Sequence, residues 1–338
     1  MVATGGLGSG IVLELEGDET IGREESRGAY LLERRDFGKL HIISHYVRVL
    51  FGDEFVVVPI GRVGEDDSGR DLQRELRDVG LDLSYVTVDE TLTTLLSVCF
   101  AYPSGEGGNL TTLNSASSAV ASEDVESALP VFELFRERGI AVAAPEVPLA
   151  ARAALLRLAT EYGFLRVGSF VSAEVRSGAA AQLLASLDLV SLNRDEAASL
   201  GGVPPDAELE SVISSVVDVV RVKYPCLAVV VTAASHGSWA WDGADLTHEA
   251  AVRTEVRNAA GAGDAHLAGL ITGLASGETL AEANAFATLV SALKVGCEDT
   301  IGWTIDGTSV EEASQLLGRP IAAPILRRLR PRGAVIGR

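Results

Sequence analysis

Short apolar runs bounded by polar or turn residues alternate with segments of helical spacing along most of this chain. Ile140–Ala144, Leu187–Leu192 and Leu227–Thr232 have the length and β-branched content of buried strands. Between and after them, Leu209, Val212, Ile213, Val216 and Val220 share one helical face. So do Leu267, Leu270, Ile271 and Leu274, and then Ala285, Leu289, Ala292 and Leu293. Phe55–Ile60 reads as a further buried strand. It leads through Gly61 and Gly64 to a helix with Leu72, Leu76 and Val79 on one face, closed by Gly80. Strands alternating with helices predict βαβ units around a parallel sheet, whose ligands gather outside the carboxyl ends of the strands.

Two stretches break the rhythm. Gly10–Arg35 holds Ile11-Val-Leu-Glu-Leu and Ala29-Tyr-Leu-Leu, with Gly17 and Gly28 between. Thr91–Leu113 holds Leu95-Leu-Ser-Val-Cys-Phe-Ala-Tyr, the loop Pro103-Ser-Gly-Glu-Gly-Gly, and Asn109-Leu-Thr-Thr-Leu. Both read as hairpins. The expected organisation is one α/β domain over residues 1–330, with lid strands from about 10–35 and 91–113 and a basic segment at 319–338.

Composition narrows the function. The chain has 338 residues, with 47 acidic against 28 basic side chains and a formal charge of −19. Such a surface repels a phosphate backbone and an anionic membrane, so neither nucleic acid nor membrane is an expected partner. No apolar run reaches the ~18 residues of a membrane helix, and no signal peptide is legible at the start. Cys99, Cys226 and Cys297 give no disulfide framework, which points to a reducing, cytoplasmic setting. Aromatics are only 5%, so Ala, Val and Leu must fill the core.

The stretch Asn258-Ala-Ala-Gly-Ala-Gly-Asp-Ala-His carries the most chemistry. Gly261 and Gly263 bracket Ala262 in a tight turn, and an apolar helix begins at once with Asp264 at its start. Free amides at a helix N-terminus make an anion site. A carboxylate there can face a nucleophile and take a hydroxyl proton while the amides stabilise a transferring phosphoryl group. The plainer alternative is an Asp cap after a glycine turn. The stretch is neither a Walker A loop nor a dinucleotide fingerprint.

Gly261-Ala-Gly-Asp-Ala followed by a small-residue helix resembles the signature of the PfkB (ribokinase-like) carbohydrate kinase family. Other segments agree in order: Pro59-Ile-Gly-Arg-Val-Gly-Glu-Asp-Asp-Ser-Gly-Arg up to Val79-Gly-Leu-Asp; Asn109-Leu-Thr-Thr-Leu-Asn-Ser-Ala-Ser with Ser122-Glu-Asp-Val; Leu192-Asn-Arg-Asp-Glu-Ala; and Val229-Val-Val-Thr-Ala-Ala-Ser-His-Gly. The resemblance spans about residues 5–305. It implies a ribokinase-like three-layer sandwich with a mostly parallel central sheet, plus a small β-strand lid. It also implies ATP and Mg²⁺ as cofactors, with Asp264 as catalytic base and Gly261, Ala262 and Gly263 as the anion hole. Asn193 and Glu196 would then lie near Mg²⁺ and the phosphates, through water. Thr232 and Gly237 would line the nucleotide, and Asn258 would touch it. The lid would close over the acceptor and exclude water. Its exposed edges, with the resemblance, point to a homodimer through the lid.

The acceptor half departs from the family. An early Asp that binds substrate hydroxyls is missing from Gly8-Ser-Gly-Ile-Val-Leu-Glu-Leu, where Glu14 is the nearest carboxylate. The Gly-Gly-x-x-x-Asn stretch corresponds to Gly38-Lys-Leu-His-Ile-Ile, with Lys39 in place of a second Gly and Ile43 in place of Asn. Glu14, Gly38, Lys39 and Asn114 are the substrate-side candidates, and the charged insertion containing Arg23 is unlike ordinary sugar kinases.

His41 and His45, four apart, form a candidate metal pair that lacks a third ligand, which favours a structural role. His236 lies in a turn where it either faces solvent, the favoured reading, or touches a nucleotide; His266 either borders the expected site or is an ordinary helix residue; and Cys99 has no activating neighbour. Three functions are open: a kinase acting on a small sugar or polyol; a nucleoside kinase, for which Phe100 and Tyr102 are the only lid aromatics that could stack a base; and a non-catalytic sugar- or nucleoside-binding regulator on the same scaffold. Up to Gly318 the body carries 22 basic against 47 acidic residues, a formal −25, which favours a neutral acceptor.

Overall fold

Seven parallel strands, ordered β5-β4-β1-β8-β9-β10-β11, form the centre of a nine-stranded sheet in the computed structural model, which describes residues 1–51, 55–104 and 107–329. They are β1 (Val2–Thr4), β4 (Val58–Gly64), β5 (Val86–Asp89), β8 (Ile140–Ala143), β9 (Leu165–Ser169), β10 (Leu189–Asn193) and β11 (Ala228–Thr232). Two antiparallel strands, β12 (Ser238–Trp241) and β13 (Leu246–Glu249), extend the sheet beyond β11. The expected strand at Phe55–Ile60 begins three residues later, because Phe55 leaves the sheet line to stack on Phe51 with ring centroids 4.0 Å apart.

Successive residues on these strands face opposite cores, as a two-residue period requires. Val142, Leu189 and Val230 enter the core shared with helices Lys39–Leu50, Ala262–Ala275 and Leu280–Val295. Ala141, Val190, Val229 and Val231 enter the core shared with helices Leu149–Glu161 and Leu209–Lys223. The result is three layers with helices on both faces. The low aromatic content shows in the closest helix pair: a Cβ at Gly269 would lie 2.6 Å from the Ala287 Cα, so the two helix backbones nearly touch there.

The lid is a second sheet in the order β3-β2-β6-β7, comprising β2 (Gly8–Leu15), β3 (Ala29–Phe37), β6 (Leu95–Ala101) and β7 (Gly107–Thr111). The two expected hairpins are present, and they join through a parallel β2–β6 pair. The tip of the second hairpin, residues 105–106, lies outside the described residues, as do Arg330 and Arg332 of the basic segment. Arg319, the first arginine of that segment, pairs with Glu249. No helix among the described residues is long and apolar enough to cross a membrane.

Strand order places the site. β1 is flanked by β4 on one side and β8 on the other, so the chain order reverses there. A crevice opens outside the carboxyl ends at such a point.

Candidate active site

Gly261 caps the helix Ala262–Ala275 in the left-handed region, with φ 78°. Any side chain there would also collide with the Thr300 carbonyl, 2.6 Å from a built Cβ. The turn that follows differs in one respect from expectation. The Ala262 amide donates to the Ala259 carbonyl at 3.1 Å, so it is not free for an anion. The Gly263 and Asp264 amides donate to no described group, and a Cβ at Gly263 would meet nothing within 4 Å. Past the cap residue Gly261, whose amide also donates to no described group, the open amides of the first turn are therefore those of Gly263 and Asp264.

Asp264 is buried, and burial pushes its pKa up. Lys39 opposes that shift, with Nζ 3.7 Å from Asp264 Oδ2. The Lys39 pKa is raised, chiefly by Asp264 and then by Glu146, Glu196 and Asp36. One ammonium thus stands among four carboxylates. Lys39 begins the helix Lys39–Leu50, where its backbone amide donates to Glu146 Oε2 at 3.0 Å. Gly38, just before it, passes so close to Gly6 that a Cβ would fall 2.5 Å from the Gly6 carbonyl.

Glu146 was not among the expected site residues. It follows β8 between Pro145 and Val147 with φ 74°, an unfavourable conformation for a residue with a Cβ. Gly6 makes room for its carboxyl, since a Cβ there would lie 2.3 Å from Glu146 Oε2. Burial raises the Glu146 pKa to about 7, against the pull of Lys39. The signal available in the sequence was a lone acid at the carboxyl end of a predicted strand.

Asp36 was missed as well. It is the penultimate residue of the lid strand β3, is 2% exposed, and pairs in register with Gly10 of β2. Its Oδ2 accepts from Ser97 Oγ and, at 3.4 Å, from Asn109 Nδ2, both lid residues. Cys99 is buried beside it, and burial pushes the thiol pKa up, with Asp36 adding to the rise.

Asn193 and Glu196 cap the helix Arg194–Gly201 reciprocally. Asn193 Oδ1 accepts from the Glu196 amide at 2.9 Å, and Glu196 Oε2 accepts from the Asn193 amide at 2.9 Å. Burial raises the Glu196 pKa to about 7, against that hydrogen bond and Lys39. One cavity of about 1160 Å³ gathers Lys39, Asn193, Glu196, Thr232, Gly237 and the whole turn from Gly261 to Asp264. Gly237 has φ 91°, and a Cβ there would sit 2.1 Å from the Glu249 carbonyl. Val252, Val256, Ala292 and Val295 give the cavity an apolar part of its lining.

Other expected residues lie elsewhere. Asn258 spends its side chain inside the turn, Oδ1 on the Ala260 amide and Nδ2 on the Glu298 carbonyl, and it does not line the cavity. Glu14 is exposed on β2 opposite Tyr30, far along the lid from Gly10, because the strand runs outward from its root. Asn114 is exposed in the turn after β7 and bonds to none of the cluster; Asn109 is the amide that reaches Asp36. His41 and His45 are buried against Phe37 and Trp303 with no hydrogen-bond partner on either ring. Burial holds both well below the ordinary imidazole range, and no group of three or more metal-binding side chains occurs among the described residues. His236 and His266 do line the cavity: His236 is exposed with its carbonyl accepting from His248, and His266 is buried, which lowers it to about 3.

Comparison with known proteins agrees with this fold. A curated relative, the bifunctional protein HldE of Hyphomonas neptunium, is 28% identical over 298 residues, which is 83% of this chain and 56% of that protein. The chain thus spans little more than half the length of that relative. Among solved structures, ribokinase from Giardia lamblia has a TM-score of 0.79 at 16% identity, covering 92% of this chain and 99% of that one. A Burkholderia thailandensis nucleoside kinase in complex with inosine has a TM-score of 0.73 at 17% identity, covering 95% and 99%. Ribokinase from Cryptococcus neoformans in complex with ADP has a TM-score of 0.72 at 17% identity, covering 92% and 98%. At these identities the structures establish the fold. Residues 51–305 match the pfkB family carbohydrate kinase pattern, and the chain belongs to that family.

Proposed function

We propose that this protein is an ATP-dependent kinase that phosphorylates a hydroxyl of a small neutral sugar or polyol. The observation that carries the reading is Asp264: a buried carboxylate facing Lys39, on a helix start whose amides at Gly263 and Asp264 have no protein acceptor. Asp264 accepts the acceptor's hydroxyl proton. The acceptor oxygen bonds to the γ-phosphorus as the bond from that phosphorus to the β-bridging oxygen breaks, and ADP leaves. The two open amides stabilise charge on the transferring group. Lys39 opposes the burial that raises the Asp264 pKa and so favours the ionised base.

The nucleotide lies along the cavity from Gly237 to the anion turn, with its base on the apolar part of the lining. A Mg²⁺ ion, when bound, offsets charge on the phosphate oxygens. Glu196 is the side chain suited to hold it, because Oε2 is taken by the helix cap and Oε1 is free to accept from coordinated water.

The acceptor sits between Asp264 and the lid root. Asp36 Oδ1 and Glu146 accept its hydroxyl protons, and a site with this many carboxylates disfavours an anionic acceptor. A nucleoside is less well served. Cys99 is on the Asp36 side of β6, so Phe100 is on the opposite face of the lid, away from the acceptor.

The lid's outer face exposes Ile11, Leu31, Leu96 and Leu110 in adjoining strands, and two such faces would cover each other in a homodimer. Sedimentation of Leu31→Asp should then give a monomer where the unaltered chain gives a dimer. Free cysteines fit action in the cytoplasm.

The deciding experiment is ADP release across ribose, fructose, larger polyols, adenosine and cytidine with MgATP. Turnover confined to sugars or polyols is the expected result. Turnover on nucleosides alone replaces the acceptor class. Binding of an acceptor with no ADP release from any compound leaves a non-catalytic binding protein and overturns the proposal.

A further inference from the structure

Lys294 has no part in the chemistry just described. It lies in the last turn of the helix Leu280–Val295 with 0% exposure. Its Nζ donates to the Asn258 carbonyl at 2.8 Å. Burying an ammonium is costly, and an apolar side chain would fill the same space without that cost.

The surroundings show what the charge does there. The turn before Gly261 is strapped to the end of this helix: the Arg257 and Asn258 amides both donate to the Val295 carbonyl, at 3.0 and 3.2 Å. Asn258 Nδ2 donates to Glu298 and its Oδ1 accepts from Ala260. Ser291 Oγ donates to the Ala262 carbonyl at 3.0 Å. Lys294 supplies the tie at the Asn258 carbonyl. Its charge also acts on Asp264, holding that carboxyl down. Around the ammonium stand Cys297 and Asp299 after the helix, Asp36 on β3 and Cys99 on β6.

We propose that Lys294 is a positioning residue for phosphoryl transfer, a tethered cation beneath the anion turn that fixes Asn258 and so aims the open amides of Gly263 and Asp264 into the cavity. This inference rests on the kinase reading above. Desolvation lowers the Lys294 pKa to about 8, so the tether is charged at neutral pH and is released in mild alkali.

The test compares Lys294→Met with the unaltered chain through three readouts: thermal shift on MgADP, the additional shift when aluminium fluoride is added as a mimic of the transferring phosphoryl group, and kcat against KM. The variant should keep its MgADP shift and its KM for ATP. It should lose the additional shift and lose about 10- to 100-fold in kcat. Ammonium chloride should restore part of both losses by placing a free cation in the vacated space. If the unaltered chain shows no MgADP shift, the kinase reading fails. If it shows both shifts and Lys294→Met shows both equally, with kcat unchanged, the kinase reading stands and this inference is overturned. Should the variant not fold, the pH dependence of the unaltered chain decides. A kcat that falls above about pH 8 supports the tether, and one that stays level to about pH 10 overturns it.

Discussion

Gly10 and Asp36 are register partners across β2 and β3 at the root of the lid, and only Asp36 can carry a carboxylate into the site. A Cβ at Gly10 would lie 1.9 Å from the Ser97 carbonyl, so β2 and β6 close over that position and leave no room for a side chain. The acid expected on the first lid strand is absent, and the neighbouring strand supplies one at the paired position. Ser97 and Asn109 fix its Oδ2, and its charge is felt by Lys39 and Asp264.

Asp36→Asn should therefore weaken the acceptor and spare the nucleotide. Replacing one carboxylate oxygen by NH₂ removes a charge-assisted acceptor, a loss of about 1.5–3 kcal/mol, or roughly 10- to 100-fold in acceptor KM. KM for ATP should stay unchanged. Ser97→Ala, which only frees Oδ2, should show a smaller rise. Steady-state kinetics with both substrates varied would check this. An unchanged acceptor KM in Asp36→Asn would remove Asp36 from the acceptor site.

What the sequence made legible follows from local rules. The anion turn was visible because Gly261, Gly263 and Asp264 lie within four residues of a helix start. The alternating strands were visible because each is short, apolar and bounded. On the acceptor side Lys39 was visible as a departure from the family pattern, but Asp36 and Glu146 were not, because they come from a lid strand and a loop after β8 that only the sheet order brings to the Lys39 helix start. Asn258 misled for the opposite reason: its polarity serves the turn itself. Asn193 and Glu196 read both ways because a capping box and a ligand-facing pair use the same two side chains.

Asp264→Asn should cut turnover by about 10²–10⁴-fold, the usual contribution of a general base. The fold should hold, since the amide is isosteric and burial already disfavours the charged carboxyl. Thermal melts and ATP titration should match those of the unaltered chain while kcat collapses. Turnover near the unaltered value would show that another group takes the proton.

Lys39→Met should move the acid limb of activity. Lys39 lowers the Asp264 pKa against the burial that raises it, so removing the ammonium leaves burial unopposed. The base then becomes ionised only at higher pH. The acid limb of kcat/KM for the acceptor should shift upward, and activity at pH 6 should suffer more than activity at pH 8. A pH–rate profile of both proteins would show it. A variant whose activity is reduced equally at every pH would mean that Lys39 contributes only binding.

Glu146→Gln should stabilise the protein in alkali and leave it unchanged in acid. Burial raises the Glu146 pKa from its ordinary 4.5 to about 7, so the native state prefers the protonated carboxyl. Below pH 4.5 the group is protonated in both folded and unfolded chains, and its contribution is fully present. As pH rises, the unfolded chain ionises first, and the contribution is lost by the time pH passes about 7. The loss is on the order of 2 kcal/mol, allowing for partial exposure of the side chain. Glutamine stays neutral throughout and keeps an oxygen for the Lys39 amide. Its Tm should therefore exceed that of the unaltered chain by about 3 °C at pH 8 and match it near pH 4. Glu196 is raised in the same way, so the variant should retain part of the alkaline decline. Melting curves that remain parallel from pH 4 to pH 8 would show that Glu146 is ionised in the fold, paired with Lys39 strongly enough to cancel its burial.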